Sequence, residues 1–378
     1  MTRLRAPLVV LAAGGTGGHV FPAEALAAEL RARGCRIVLV TDRRGSALGG
    51  ELDEFEIHRI RAGSVAGKSF AARLRSAPEL AVGMLQARRL LKRIAPDVVV
   101  GFGGYASVPT MMAASFGGFQ TVTHEQNAVL GRANRLLASR VARIATSFET
   151  LAGLPAGAEP KVVHTGMPIR PAVAAMRERP YAAIAETGAI NILVLGGSQG
   201  ARVFSRVVPE ALHCLSEAWR RRLHVVQQCR PEDLDAVRCA YAKMRIDAEI
   251  AQFFADVPER LAEAHLLIGR AGASTVAEVL VVGRPAILVP YPRAIDDHQS
   301  ANAHAVDAAG GGWLMPEDAF APGSLSARLE SLFELPHTLV KAASAGRATS
   351  LPDAARRLAD TVYELMPNGE SEDKREAA

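Results

Sequence analysis

The sequence predicts an α/β protein made of two doubly wound, parallel-sheet domains. Three observations carry that prediction. The chain opens twice in the same way: "PLVVLAAGGTGGHVFPAEALAAEL" (7–30) and "INILVLGGSQGARVFSRVVPEAL" (190–212) share a buried-strand run, a glycine loop and a helix with apolar residues at helical spacing. Strand-like runs then alternate with helical patterns, as parallel sheets covered on both faces require. Finally, 378 residues exceed one ordinary core and suit two of roughly 100–200 residues each.

In chain order, the first strand is followed by "GGTGGH" (14–19), four glycines that leave the backbone free to turn at positive φ and to approach a ligand closely. Further strands are expected at 36–41, 97–102, 121–125 and 143–147, and in the second half at 223–228, 265–270 and 285–290. Residues 98–123 hold no charge and could pass for a membrane span, but Gly101, Gly103, Gly104, Pro109, Gly117 and Gly118 break it into strand, loop, short helix and second strand. Residues 151–160 read as a loop. The join is expected near "TGMPIRPAV" (165–173), giving domains at 1–166 and 167–352, with a helix at about 353–366 packing back on the first domain and a disordered tail at 367–378. Composition is globular, with 49% hydrophobic and 22% charged residues. Cys35, Cys214, Cys229 and Cys239 lack metal-like spacing and read as reduced, mostly buried thiols of a cytosolic protein. "PLVVLAA" (7–13) is too short for a signal peptide and runs straight into the glycine loop, so a soluble protein is expected.

Charge is unevenly spread. Residues 1–166 carry net +9 and the remainder net −4. Residues 57–93 hold nine basic side chains against the single acid Glu79, which suggests an anionic surface as partner, or else a solvated helix face. On "PELAVGMLQARRLLKR" (78–93), Leu80, Met84 and Leu91 are expected along one face beside Arg88, Arg89, Lys92 and Arg93, an arrangement suited to anionic headgroups with shallow apolar insertion.

Several motifs bear on chemistry. Gly15-Thr16-Gly17 begins a dinucleotide fingerprint and Asp42 stands at the ribose spacing, but Val20 occupies the third glycine's place. "GSVAGKS" (63–69) imitates a P-loop with one residue too few and no strand leading in. "LLIGRAGASTVAEVL" (266–280) is more informative: the amides of Ala273, Ser274 and Thr275 at a helix start suit a phosphate or diphosphate. Glu278 either completes a Thr275-x-x-Glu278 capping box or reaches a ribose. Asp296, Asp297, His298, Gln299 and Asn302 follow the next strand, and polar groups beside a diphosphate site suggest a sugar nucleotide.

"GGTGGHVFP", "GFGGYAS", "THEQNAVLGRANRLLA", "LGGSQGA", "RAGASTVAE" and "DHQSANA", in this order, resemble the MurG family of bacterial N-acetylglucosaminyltransferases over residues 7 to 365. The resemblance implies the GT-B fold, two Rossmann-like domains facing across a cleft. It also implies UDP-N-acetylglucosamine as donor, lipid I as acceptor, and a peripheral position on the cytoplasmic face of the cell membrane. By motif, Ser198 and the turn at Ala273–Thr275 would hold the donor diphosphate, Glu278 the ribose, and Phe254 would lie beside the uracil. Gln299 and His298 would bind the sugar hydroxyls, while Asn127 and Arg170 would line the opposite wall. Met167 stands where the family usually has Asn, and His298 where relatives can carry a second Gln.

The implied reaction displaces UDP from the anomeric carbon by the muramic acid 4-hydroxyl, with inversion. Thr16, Gly17 and Gly18 would cradle the acceptor's diphosphate and the transferred sugar. His19 is the first choice of general base, ahead of Glu125 and His124. With no Asp-x-Asp motif, neither a catalytic metal nor another cofactor is expected, and nucleic acid is not an expected partner. A UDP-N-acetylglucosamine 2-epimerase, a diacylglycerol glycolipid synthase and a nucleotide-binding regulator are the competing readings.

Overall fold

The computed structural model describes residues 5–14, 17–42, 54–62, 70–197 and 200–366, without the side chains of residues 70–77. The P-loop-like stretch 63–69 and the tail 367–378 lie outside the described residues. The chain divides into two compact units, Met1–Arg170 with Asp353–Ala378, and Pro171–Pro352.

Unit 1 is built on β1 (Leu8–Ala12), β2 (Arg36–Thr41), β3 (Glu56–Arg59), β4 (Val98–Gly101), β5 (Gln120–Glu125), β6 (Arg143–Thr146) and β7 (Val162–His164). They form one sheet in the order β3-β2-β1-β4-β5-β6-β7, with all neighbours parallel. Its helices are α1 (Gly17–Ala32), α2 (Phe70–Ile94), α3 (Gly104–Phe116) and α4 (Arg132–Leu137). Alternate residues of β1 serve two cores. Val9 and Leu11 pack with Val20, Leu26 and Leu30 of α1, while Leu8 and Val10 pack with Leu90, Leu91 and Met111. Burial on both faces is why the strand reads as an unbroken apolar run.

Unit 2 repeats the plan with β8 (Ile190–Leu195), β9 (Leu223–Gln228), β10 (Asp247–Ala251), β11 (Leu266–Gly269), β12 (Ala286–Leu288) and β13 (Gly312–Leu314), in the order β10-β9-β8-β11-β12-β13, again all parallel. Its helices are α5 (Pro171–Ala175), α6 (Arg202–Cys214), α7 (Glu217–Arg220), α8 (Leu234–Met244), α9 (Val257–Glu263), α10 (Ala273–Val282), α11 (His298–Ala308), α12 (Pro322–Glu334) and α13 (Pro336–Thr349). In both sheets the order reverses beside the first strand of the unit. The crevice beyond the carboxyl ends of the strands at such a switch point is where open α/β sheets bind ligands.

The last helix, α14 (Ala354–Tyr363), belongs to unit 1 and packs on α1. Leu358, Ala359 and Val362 enter the α1 core, Arg33 pairs with Asp360 at 2.6 Å, and the Tyr363 hydroxyl donates to Arg33 O at 3.0 Å.

The division falls at Arg170/Pro171 rather than at 166/167. The amides of Thr165 and Gly166 both donate to Thr146 O at the end of β6, which ties residues 165–166 to the first sheet. From Pro171 onward the chain is held to unit 2. Arg177 donates to Val281 O and Arg347 O, and the buried Arg284 donates to Arg179 O, Pro180 O and Ala262 O.

Three expectations are corrected here. Cys35 and Cys229 are buried, but Cys214 is exposed at the end of α6 and Cys239 is exposed in the middle of α8. The outer face of α2 does not carry Leu80, Met84 and Leu91: Leu91 is 0% exposed and the other two are half-buried, because that side packs on the sheet and on α3. The exposed line instead runs through Ala81, Leu85 (55% exposed), Arg88 and Lys92, at i, i+4, i+7 and i+11, with Arg89 and Arg93 beside it. Finally, β3, β7, β10 and β13 lie outside the expected apolar runs. They are the two edges of each sheet.

Candidate active site

In unit 1 the site residues gather at the carboxyl ends of β1, β4 and β5. Gly17 and Gly18 open α1, and His19 sits half-buried in its first turn. Thr16 lies outside the described residues. A turn at Gly103 (φ 80°) and Gly104 (φ 69°) follows β4 and lies beside the imidazole. A Cβ at Gly104 would stand 3.3 Å from His19 Cδ2 and 3.4 Å from Nε2. Both the positive φ and the closeness call for glycine. Arg170 lies over the Phe21 ring of α1, 4.5 Å from its centroid.

The segment "HEQN", at the end of β5, adjoins His19. His124 and Gln126 are fully or almost fully buried, and Gln126 Oε1 is 3.1 Å from His19 Nδ1. Burial pushes the His124 imidazolium down to about 4, so the ring is neutral at physiological pH. Glu125 points the other way. Its Oε1 accepts from Asn127 N (3.1 Å) and Nδ2 (3.2 Å), and its Oε2 accepts from Gly131 N (2.8 Å) and Asn134 Nδ2 (2.8 Å). With both oxygens occupied, Glu125 organises the 127–134 turn, and Asn127 is one of the groups it holds. Gln126 and Asn134 carry much of this arrangement, although their amides have no signature of their own in the sequence.

In unit 2 the first glycine loop runs from Gly196 and Gly197 (φ 79°) to Gly200 (φ 64°) ahead of α6. Ser198 lies outside the described residues. After β11, Gly272 caps α10 with no side-chain bond, so the amides of Ala273, Ser274 and Thr275 form the helix's open first turn. The Thr275–Glu278 capping box is not formed. Thr275 lies inside the helix, and Ser274 Oγ donates to Glu278 Oε1 at 3.2 Å instead. Glu278, 9% exposed, is therefore steadied from its own helix, one turn below the amides.

Residues ahead of α11 fold as a tight turn with Asp296 (φ 53°) and Asp297 (φ 52°) left-handed in succession. Beyond it His298 Nδ1 donates to Ile295 O at 2.7 Å and Gln299 Oε1 accepts from Tyr291 N at 2.9 Å. Each keeps one polar edge directed elsewhere, His298 Nε2 and Gln299 Nε2. Asn302 does not join them. It is fully buried and donates to Ala271 O at 3.0 Å, fixing the turn before α10. Arg270 is likewise structural, paired with Glu317 at 2.5 Å and donating to Val289 O and Pro290 O. The Phe254 ring, 5% exposed, lies under the Arg260 guanidinium at 4.4 Å, whereas its neighbour Phe253 is 75% exposed. A cavity of about 740 Å³ opens beside this turn, lined by Arg202, Arg206, Pro290, Asp297 and Ser300 among others.

Among the described residues no group of acidic, histidine and cysteine side chains is arranged to hold a metal ion, and no helix is long and apolar enough to cross a membrane. Two Rossmann-like parallel-sheet units, each with a glycine loop at the carboxyl end of its first strand, define a protein of the GT-B fold class. Residues 9–146 match the glycosyltransferase family 28 N-terminal domain, and residues 191–358 match the glycosyltransferase family 28 C-terminal domain. The chain is 60% identical over 362 residues to a Paramagnetospirillum magneticum protein, covering 96% of this chain and 98% of that one. It is 58% identical over 360 residues to one from Rhodospirillum rubrum, covering 95% and 92%. Both relatives are named UDP-N-acetylglucosamine--N-acetylmuramyl-(pentapeptide) pyrophosphoryl-undecaprenol N-acetylglucosamine transferase. The crystal structure of Acinetobacter baumannii MurG superposes with a TM-score of 0.77 at 29% identity, covering 95% of this chain and 99% of that one. The chain belongs to glycosyltransferase family 28 and, within it, to the MurG family.

Proposed function

We propose that this enzyme transfers N-acetylglucosamine from UDP-N-acetylglucosamine to the muramic acid 4-hydroxyl of lipid I, releasing lipid II and UDP in peptidoglycan synthesis. The observation that carries the reading is the 60% identity, over nearly the whole chain, to a relative named for that reaction. The chemistry asks for two things: a base for the attacking hydroxyl, and compensation for charge on the departing diphosphate. His19 is the base. Its Nε2 takes the proton as the oxygen attacks the anomeric carbon and inverts it. The open amides of Ala273, Ser274 and Thr275, with Ser198 of the other glycine loop, receive the diphosphate. Arg170 adds a fixed positive charge for the leaving group.

Glu278 binds the ribose hydroxyls, and the backbone at Phe254 reads the uracil edge. Gln299 Nε2 and His298 Nε2 meet the sugar hydroxyls. Thr16, Gly17, Gly18 and Asn127 meet the N-acetylglucosamine of the donor, the first three also the acceptor's diphosphate. The enzyme meets its lipid substrate as a peripheral protein on the cytoplasmic face of the membrane, through Leu85 with Arg88, Arg89, Lys92 and Arg93 on α2.

UDP release measured with and without lipid I tests the reading. Release that requires lipid I, and that is nearly abolished in His19→Ala with UDP affinity unchanged, is the expected result. Conversion of the donor to its 2-epimer without acceptor would replace it with an isomerase. Glu278→Ala weakens UDP binding if the carboxylate holds the ribose; equal affinity would leave it a purely structural residue.

A further inference from the structure

We propose that Gln126 is a positioning residue that holds the His19 ring as the Nδ1–H tautomer, leaving Nε2 as the proton-accepting atom. The inference rests on the reading of His19 as the general base and adds how the fold prepares that base.

The direction of every proton follows from backbone carbonyls, which only accept. Gln126 Nε2 lies 2.9 Å from Phe102 O and 3.1 Å from His124 O, so this end of the side chain must be the NH2 group. Its oxygen is then the atom that faces His19 Nδ1 at 3.1 Å, and an amide oxygen can only accept. His19 Nδ1 therefore carries the hydrogen. His124 corroborates the orientation. Its Nε2 faces Gly166 O at 3.1 Å and must donate, so in the neutral ring Nδ1 is a lone pair, turned toward Gln126 Nε2 at 3.1 Å. Burial keeps that ring neutral. The chain of bonds thus runs from the carbonyls of Gly166, Phe102 and His124, through Gln126, to one tautomer of His19.

A histidine with Nδ1 protonated has its lone pair on Nε2, the ring nitrogen nearest Gly104, while Gly103 stands nearest Cε1 and Nδ1. After Nε2 takes the hydroxyl proton the ring is a cation, and its Nδ1–H bond to Gln126 becomes charge-assisted, the stronger kind. Gln126 stabilises the base before the transfer by fixing its tautomer, and after it by accepting from the imidazolium.

The test is nitrogen-15 NMR of the full chain labelled at histidine, with His19 assigned by difference from His19→Ala, alongside turnover with lipid I. In the wild type, His19 shows a protonated Nδ1 and an unprotonated Nε2. In Gln126→Met, close in volume but unable to accept, the Nε2–H tautomer becomes populated and kcat falls about tenfold, as loss of one such bond implies, while UDP affinity stays the same. A wild-type His19 carrying its hydrogen on Nε2, or an unchanged tautomer in Gln126→Met, overturns the proposal. Should Gln126→Met fail to fold, the wild-type spectrum alone decides. If the tautomer shifts as described but His19→Ala retains full turnover, the base assignment fails while the role of Gln126 in orienting the ring stands.

Discussion

Replacing Glu125 by Gln changes one atom and reverses the hydrogen-bonding sense of one end of a buried side chain. Each carboxylate oxygen faces two donors: Oε1 the backbone and side-chain amides of Asn127, Oε2 the Gly131 amide and Asn134 Nδ2. Whichever way the new amide turns, its NH2 group meets two donors. Asn134 cannot relieve the conflict by flipping, because its Nδ2 also donates to His124 O at 3.2 Å. With its NH2 on the Oε1 side, the Asn127 carboxamide can turn to accept, so one or two accepted bonds become donor–donor contacts at about 1–2 kcal/mol each and unit 1 loses about 1–4 kcal/mol. For a unit of this size, that corresponds to a drop in Tm of about 2–16 °C. Calorimetry of the full chain measures it, with turnover recorded on the same samples. A Tm unchanged to within about 1 °C would refute the reasoning. If turnover nevertheless collapsed, Glu125 would be acting in the chemistry rather than holding the 127–134 turn.

Gly104→Ala and Gly118→Ala introduce the same left-handed strain, at φ 69° and 76°, costing about 1–2 kcal/mol each. Only the first places a methyl against His19, so both variants melt earlier but only Gly104→Ala loses kcat; equal loss in both would detach the Gly103–Gly104 turn from catalysis. His124 titrates near 4 when folded against about 6.5 when unfolded, so the unfolded chain takes up the proton first as pH falls. The stability tied to this ring is complete above about pH 6.5 and falls by about 3 kcal/mol on going down to about pH 4. His124→Asn flattens that part of the stability–pH curve, and an unaltered curve would contradict a neutral, buried ring. On vesicles containing phosphatidylglycerol, changing Arg88, Arg89, Lys92 and Arg93 to Gln weakens binding by about 1 kcal/mol per charge at low salt, and added salt does the same. Leu85→Ser weakens binding further while Leu91→Ala lowers only stability; binding indifferent to lipid charge would remove α2 from the membrane surface.

The central strands were determined by the sequence alone. β1, β2, β4 and β8 are covered on both faces over most of their length, so nearly all their side chains are apolar and the run cannot be mistaken for a surface element. The repeated strand, glycine loop and helix likewise revealed two units and the loops that shape their sites. The edges were decided only by assembly. β3 ("EIHR"), β7, β10 ("DAEIA") and β13 have a neighbour strand on one side only, so most of their residues are exposed or half-exposed and no long apolar run marks them. The same limit governs the site. Spacing placed His19 at a helix start and Glu278 one turn after the Ala273–Thr275 amides that open α10. It could not show that Ser274 rather than a capping box steadies Glu278, that Asn302 spends its amide on Ala271 O, or that Leu91 faces inward and Leu85 outward. Periodicity records that one face of a helix is apolar; what lies against that face, and which polar atom meets which, depends on residues a hundred positions away. His19 and Gln126 are 107 residues apart, and only the folded sheet brings an amide oxygen within 3.1 Å of the imidazole whose tautomer it sets.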